Sequence, residues 1–275
     1  MEITPAMVKA MREKTGLPMM ECKKALEETQ GNEQAAMDLL RRKGLAQVTK
    51  RAERVTAEGR IGHHHDPARG CVALVEVLCE TAPVANTDEI VRLTRAAAEA
   101  AARLEAPTPE ALLEQPLPSD PARRIADLLH DAVNKIRENI KIGRVTVLRG
   151  SVGCYLHHDA RKAAVVELSG PAAPEVASDI CMHIVSMRPP FARREEVDPA
   201  LVEQRRQAAR EQVKNKPPQI MDKIVTGMLD KWYSEIALLE QPFVKDDKRT
   251  VAQYLREQSP GLTVNRFVRL EIGEA

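Results

Sequence analysis

The sequence predicts an α+β protein: a three-helix module at the N-terminus, a core of two related α+β subdomains, and a projecting antiparallel helical hairpin. Three observations predict this class. Apolar residues recur at helical spacing over residues 1–44, two apolar strands each follow a similar polar turn and precede a helix, and a charge-rich pair of helices is joined by a proline turn. With 275 residues, the chain is long enough for two hydrophobic cores.

Residues 1–44 predict three short helices, because each apolar stretch is bounded by residues that start or stop a helix. The starts are marked by Thr4 with Pro5, by Pro18 and by Asn32, and the ends by Gly16, Gly31 and Gly44. Residues 45–58 are rich in charge and predict a polar helical connector. We therefore assign residues 1–52 to the module and its connector.

The core shows an internal repeat. A turn containing Asp66 leads into an apolar strand at 71–77, and a turn containing Asp159 leads into another at 162–168. A helix follows each strand, at 88–104 and at 174–187. We therefore predict two related subdomains, at 53–146 and 147–275.

Three other segments complete the prediction. The proline-rich stretch 107–118 reads as a loop that ends at Ser119, the N-cap of a long helix whose buried face extends to Ile140. Helices at 198–214 and 217–233 carry many charges and few large apolar residues, so they predict a hairpin over about 195–233. Residues 267–272 alternate as a final strand.

Composition narrows the function classes. The chain has 41 Lys and Arg against 40 Asp and Glu, so it has no surplus of cations for binding a nucleic-acid backbone. Only 3% of the residues are aromatic, which argues against base stacking. No run of about 18 apolar residues predicts a membrane span. The start resembles no targeting segment, and the five scattered cysteines fit a reducing cytoplasm.

Catalytic and metal-binding patterns are weak. His63, His64 and His65 are consecutive, so their side chains do not converge on one ion, and a solvated turn is the simpler interpretation. Cys71, Cys79 and Cys181 lie in apolar segments, as inert buried thiols do. No phosphate-binding glycine motif is present. We therefore predict no enzyme activity, catalytic residue, metal, cofactor or small-molecule substrate; a cysteine- or metal-dependent enzyme is the competing hypothesis.

The second helix is more informative. Met19, Cys22 and Leu26 share one face by helical spacing, so we expect Met19 to point into the module's core. Met20 lies on a different stripe beside Lys23 and Lys24. It either covers the edge of the core or, as a flexible exposed apolar side chain, contacts another protein.

The run from Thr15 to Leu26, T-G-L-P-M-M-E-C-K-K-A-L, resembles elongation factor Ts. Similar runs follow in order along nearly the whole chain: 78–81, 138–144, 155–157, 177–189, 215–217, 241–244 and 267–273. The resemblance implies a ubiquitin-associated-like module followed by two α+β subdomains and a helical hairpin. It also implies a translation elongation factor of the bacterial cytoplasm, a guanine-nucleotide exchange factor for elongation factor Tu.

Specific residues follow from this resemblance. Arg12, Met19, Met20 and Lys23 match the family's N-terminal contact surface, and His157 matches a contact position in the core. The resemblance implies that the factor holds no nucleotide and disturbs the phosphate and magnesium site of its partner, so that GDP leaves and GTP loads.

One departure affects the expected function. The family's magnesium-dislocating segment typically reads Thr-Asp-Phe-Val, whereas this chain has Thr81, Ala82, Pro83 and Val84. The carboxylate and the aromatic wedge are both missing. Either exchange proceeds through the remaining contacts, or this is a divergent copy that binds the GTPase with weak or no exchange. We favour the first hypothesis because Met19, Met20, Lys23 and His157 are retained.

Overall fold

The computed structural model describes residues 3–274, apart from the side chains of residues 45–50 and 219. The chain divides into two compact units. The first contains the chain up to His64, Ala73–Val147 and the residues from Ile272 onward, and the second contains His65–Val72 and Leu148–Glu271. Both combine helices with β-sheets, so the predicted α+β class is confirmed.

The first unit begins with the three predicted helices. They are α1 (Pro5–Thr15), α2 (Met19–Glu28) and α3 (Glu33–Arg51). Each contributes apolar side chains to a small core, whose buried members are Val8, Met11, Cys22, Ala25, Leu26, Ala36 and Leu40. α1 and α2 have 11 and 10 residues and would be marginal as isolated helices, so burial of this shared stripe is what stabilises them.

The helix boundaries show which sequence signals were reliable. The Thr4 hydroxyl accepts a hydrogen bond from the Met7 N–H (3.4 Å), and Gly16 takes the left-handed φ of 69° that ends α1. Gly44, however, does not end α3, which continues to Arg51. The glycine instead leaves room for the Asn134 side chain, because a Cβ at residue 44 would overlap its terminal amide.

The rest of the first unit is a three-stranded sheet with helices and a short β-hairpin. Its elements are β1 (Glu58–Asp66), β2 (Cys71–Cys79), α4 (Ala82–Ala85), α5 (Asp88–Ala101), α6 (Pro109–Leu113), β3 (Pro116–Leu117), β4 (Asp120–Arg124), α7 (Ile125–Ile136) and β5 (Lys141–Arg149). The strand order is β1–β2–β5. β2 is buried along almost its full length, as expected for a central strand.

The prediction for residues 107–140 is wrong in three respects. The proline-rich loop contains α6, capped by the Thr108 hydroxyl. Ser119 does not cap the long helix, because the chain first forms the β3–β4 hairpin, and α7 begins only at Ile125. α7 then ends before Ile140, since Arg137 takes a left-handed φ of 69°. Ile140 is buried, but outside the helix.

The second unit contains a further three-stranded sheet and the helical hairpin. Its elements are β6 (Ser151–Leu156), β7 (Lys162–Leu168), α8 (Pro174–Met187), α9 (Pro199–Gln212), α10 (Pro218–Ile236), β8 (Pro242–Phe243), β9 (Asp246–Thr250), α11 (Val251–Gln258) and β10 (Val264–Glu271). β7 is central and pairs antiparallel with both β6 and β10. The predicted final strand therefore forms, beginning a few residues earlier than expected.

The two units repeat one order of elements. Each has a pair of long strands, a helix, a short β-hairpin, a second helix and a closing strand that joins the sheet beside the second of the pair. The Gln115 carbonyl accepts the N–H of Ile125 at the start of α7 (2.9 Å), and the Gln241 carbonyl accepts that of Val251 at the start of α11 (3.0 Å). The repeat inferred from two short turns thus extends over the whole core.

The helical pair α9–α10 lies between α8 and β8, where the first unit has only a short helix. Ala209, Val225 and Leu229 are buried between the two helices, with Trp232 partly covered. Most other α9 side chains are exposed, in agreement with its charge-rich sequence.

Candidate partner-binding surface

The exposed side of α2 carries the methionine pair. Met20 is 62% exposed and Met19 is 45% exposed, whereas Cys22 and Leu26 are buried in the module core. The prediction that Met19 points into this core is wrong. Leu17, just before the helix, packs against the core instead, and Met19 is left at its edge as the first residue of α2.

Two cations accompany the methionines on the same module. Arg12 on α1 and Lys23 on α2 are both exposed. The Lys23 ammonium lies 3.7 Å from the Glu27 carboxylate, one helical turn away. An exposed pair of this kind is weak, so Lys23 can exchange it for a partner's carboxylate at little cost. We call Arg12, Met19, Met20 and Lys23 the module face.

The predicted segment 81–84 lies where α4 begins. Ala82 and Pro83 are the first two residues of this short helix and are exposed, while Val84 is half-buried and Ala85 is buried. Ala85 therefore packs the helix against the rest of the unit, and the exposed N-terminal end of α4 carries only the small side chains of Ala82 and Pro83.

Glu138 holds the start of this segment. One of its carboxylate oxygens accepts the backbone N–H groups of Glu80 and Thr81, each at 3.1 Å, and the other accepts the Thr81 hydroxyl at 2.7 Å. An ionised carboxylate is a stronger acceptor than a neutral oxygen, so these bonds fix the backbone at the entry to α4.

The anchoring is reciprocal. The Glu80 carboxylate accepts the backbone N–H of Asn139 at 2.6 Å, and the Arg54 guanidinium lies 3.4 Å from the same oxygen. The hydrogen bond from Asn139, helped by Arg54, lowers the pKa of Glu80 below its usual range. Residues 80–81 and 138–139, predicted only as matching runs of sequence, are thus paired in the fold.

His157 belongs to the second unit and follows β6. It is half-buried, and its Nδ1 lies 3.0 Å from the Tyr155 hydroxyl. Its ring also lies beside that of His158, with centroids 4.2 Å apart. The Tyr155 contact orients the imidazole and leaves part of the ring exposed.

Comparison with known proteins identifies the family. A family model described as elongation factor TS matches residues 80–274. The chain is 38% identical over 287 residues to elongation factor Ts of Clostridium perfringens strain 13, covering 99% of this chain and 93% of that protein. It is 36% identical over 285 residues to elongation factor Ts of Clostridium botulinum strain Alaska E43, with the same coverage.

This chain belongs to the elongation factor Ts family. Its role is therefore in translation elongation during protein biosynthesis. The family model begins at residue 80, whereas the relatives match along nearly the entire chain, so the similarity includes the three-helix module.

The other candidate sites have simpler explanations within this member of the elongation factor Ts family. His63, His64 and His65 lie on β1 rather than in a turn, so successive side chains point to opposite faces. Among the side chains that the structure describes, no three His, Cys, Asp or Glu residues are grouped to hold a metal ion. Within the same part of the chain, no helix combines the length and apolarity needed to cross a bilayer.

The thiols are poorly suited to nucleophilic chemistry. Cys71, Cys79 and Cys181 are buried, as predicted. Burial raises the pKa of Cys154 to about 11 and that of Cys181 well above its ordinary value. The thiolate forms of Cys154 and Cys181 are therefore disfavoured at neutral pH, and the buried Cys71, Cys79 and Cys181 serve as small apolar core residues.

Sequence reasoning missed the residues that support segment 81–84. Glu138 and Asn139 belong to the matching run 138–144, which by itself predicts no role for them. The sequence offers no signal for this role, because the predicted long helix extends to Ile140 and places both residues inside it, whereas α7 ends at Ile136. Pairing with Glu80 and Thr81 depends on the fold and has no local sequence signature.

Proposed function

We propose that the protein binds elongation factor Tu and accelerates release of its GDP, so that GTP can load. The family implies this partner. The observation that carries the proposal is the module face, where two exposed methionines and two cations lie on the unit that also holds the anchored segment 81–84. Two large apolar side chains beside cations suit a protein contact better than solvent.

The mechanism needs no covalent chemistry from this chain. An exchange factor works by binding the nucleotide-poor conformation of the GTPase more tightly than the GDP-bound one, which raises the GDP off-rate. Met20 contributes apolar area at the contact, and burial of a methionine is worth about 1.5–3 kcal/mol. Lys23 and Arg12 supply charge complementarity, and His157 adds a contact from the second unit.

We also propose that the chain is not an enzyme and that it acts in the bacterial cytoplasm, without a direct nucleic-acid partner, membrane contact or small-molecule substrate. The raised pKa values of Cys154 and Cys181 support this interpretation over a cysteine-dependent enzyme. The side chains of His63, His64 and His65 alternate between the two faces of β1, which argues against a metal-dependent one. GDP release should therefore be unchanged after metal chelation and thiol alkylation. A loss of activity after either treatment, with the fold intact, would favour the enzyme hypothesis.

A second candidate is binding with weak or no exchange. Ala82 and Pro83 favour it, since these exposed residues offer neither a carboxylate nor a ring to insert between partner helices. Truncating a buried aromatic at an interface commonly costs about 2 kcal/mol or more. We prefer the exchange function because the module face and His157 remain in place.

Stopped-flow release of a fluorescent GDP analogue from elongation factor Tu separates the two candidates. Exchange predicts that micromolar protein accelerates release above the intrinsic rate, and that added GDP dissociates the complex. Binding without exchange predicts an unchanged release rate and a complex that persists in GDP. If neither acceleration nor association is seen, both candidates are wrong.

A further inference from the structure

Three consecutive residues after α7 each contact a different element of the first unit. Arg137 contacts α2, Glu138 contacts segment 81–84, and Asn139 contacts the chain that leaves α3. We infer that these are positioning residues that hold the module face and segment 81–84 in one fixed arrangement, so that a single partner meets both together. This inference rests on the proposed function, which it extends by naming the junction.

Glu138 provides the main anchor for segment 81–84. Its carboxylate accepts two backbone N–H groups and one hydroxyl, from residues immediately before Ala82. α4 is a single turn and has little stability of its own. The placement of Ala82 and Pro83 therefore depends on the carboxylate that fixes the residues preceding them.

Asn139 connects the same junction to the module. It is only 5% exposed, and its side-chain amide donates to the carbonyls of Ala52 (3.2 Å) and Arg54 (2.7 Å), just after α3. Its backbone N–H donates to Glu80. One buried residue thus ties the exit of the module to the end of β2.

Arg137 completes the junction on the α2 side. It takes the left-handed backbone conformation that caps α7, which a non-glycine residue adopts only at a cost in energy. Its guanidinium forms an ion pair with Glu21, the residue after Met20. Both side chains are about half exposed, so this link is weaker than the Glu138 anchor.

A fixed arrangement of the module face and segment 81–84 matters most where one of the two surfaces contacts the partner only weakly. When two surfaces of one protein meet the same partner, the second contact forms at an effective concentration set by how rigidly the two surfaces are joined. The side chains of Ala82 and Pro83 are small and offer a partner little contact area, so their effect on it depends on correct placement.

Thr81 offers the mildest test. Thr81→Val keeps the shape and the backbone N–H groups but removes the hydroxyl that donates to Glu138, and Thr81→Ser restores that hydroxyl. Using the full-length chain and elongation factor Tu carrying a fluorescent GDP analogue, we expect Thr81→Val to lower the maximal release rate about three- to tenfold. This is the effect of losing one hydrogen bond of ordinary net strength, since the bond to Glu138 is exposed to solvent. The concentration giving half-maximal release should change less than twofold, and Thr81→Ser should retain the wild-type rate.

Met20→Ala is the matched control on the module face. It should raise the half-saturating concentration by a larger factor than it lowers the maximal rate, the opposite pattern to Thr81→Val. Equal maximal rates for wild type and a folded Thr81→Val protein would overturn the inference while leaving the proposed exchange function intact.

Failure of the proposed function gives a different result. If wild type itself does not accelerate release, the exchange proposal is wrong. The inference about the junction is then tested by measuring how tightly each variant binds the nucleotide-free partner. Thr81→Val must bind about threefold more weakly than Thr81→Ser for the inference to survive, as expected from the same lost hydrogen bond. Equal affinities overturn it.

Discussion

Arg144 and Glu76 form a two-pronged ion pair that joins β5 to β2 within the first unit. The guanidinium donates from Nε to one carboxylate oxygen (2.9 Å) and from Nη2 to the other (2.6 Å), and the Arg144 backbone N–H adds a third bond (3.0 Å). Glu76 is 3% exposed. These bonds raise the pKa of Arg144 above its ordinary value, and together they satisfy a carboxylate that the sheet has removed from water.

Removing the Arg144 guanidinium should therefore destabilise the folded protein. We expect Arg144→Ala to lower the free energy of unfolding by about 3–5 kcal/mol, because it leaves a buried carboxylate without its counter-ion. Urea denaturation measures the change. The control is Arg103→Ala in the same unit. It removes the ion pair between Arg103 and Glu99, which lie 3.9 Å apart, and Glu99 is more exposed than Glu76. It should cost less than about 1 kcal/mol, and equal losses would contradict this account of Glu76.

Gly44 gives a prediction whose sign depends on its neighbour. In an unobstructed helix, Gly→Ala stabilises by about 0.5–1 kcal/mol. Here the new methyl group would overlap Asn134, so Gly44→Ala should destabilise the contact between α3 and α7. In an Asn134→Ala background the same substitution should become stabilising. Unfolding free energies of the four proteins test this, and a stabilising effect in both backgrounds would show that the close approach is unimportant.

His183 should make the second unit sensitive to acid. It is fully buried, with Nε2 2.8 Å from the Gln241 side-chain oxygen and Nδ1 accepting the N–H of Val244 at 3.1 Å. Burial lowers its pKa below 6.5 in the folded chain, despite the Gln241 hydrogen bond. The unfolded chain thus takes up the proton first, and stability falls as the pH drops below about 6.5.

The slope of the unfolding free energy against pH tests whether His183 is the titrating group. One such histidine changes the unfolding free energy by at most about 1.4 kcal/mol per pH unit, and only until the folded form also protonates. At about pH 7.5 and above, the imidazole is almost entirely neutral in both states and contributes little pH dependence. His183→Gln removes the titration and should flatten the curve between pH 6.5 and 5, whereas His158→Gln, at an exposed ring, should leave it steep. Identical curves for all three proteins would contradict this role of His183.

Met20 and Met11 should separate binding from folding. Met20 is 62% exposed and Met11 is 1% exposed. Met20→Ala should weaken association with elongation factor Tu by about 1–3 kcal/mol while hardly changing stability. Met11→Ala should cost about 2–5 kcal/mol of stability in the module. Titration calorimetry and thermal unfolding measure the two effects, and unchanged affinity for Met20→Ala would remove it from the proposed contact.

Restoring the family's usual residues in segment 81–84 should increase exchange. Ala82 and Pro83 are exposed, so Ala82→Asp with Pro83→Phe adds a carboxylate and a ring without disturbing the core. We expect faster maximal GDP release, by about tenfold or more if the ring becomes buried in the partner. Stopped-flow rates compare the double variant with Ala82→Asp alone. An unchanged rate would mean that this segment does not act on the partner.

Local sequence signals predict a helix boundary correctly where that boundary depends only on nearby residues. Thr4, Gly16 and Asn32 bound helices as predicted, because capping depends on a few neighbouring atoms. Gly44 and Ser119 were misleading, because their roles are set by a helix and a hairpin that pack nearby.

The candidate site divides in the same way. Exposure of Met20 was one of two alternatives that helical spacing allowed, whereas the exposure of Met19 depended on Leu17 filling the core edge. Pairing of Glu138 with Thr81 joins residues 57 positions apart, and no local pattern predicts it.

The most direct measurement is the rate of GDP release from elongation factor Tu at saturating concentrations of this protein. The proposed function predicts a rate well above the intrinsic one, with half-saturation that rises for Met20→Ala. The inference about the residues that position segment 81–84 adds a maximal rate that falls for Thr81→Val. A release rate equal to the intrinsic value, with folded protein bound to the GTPase, would contradict nucleotide exchange as its function.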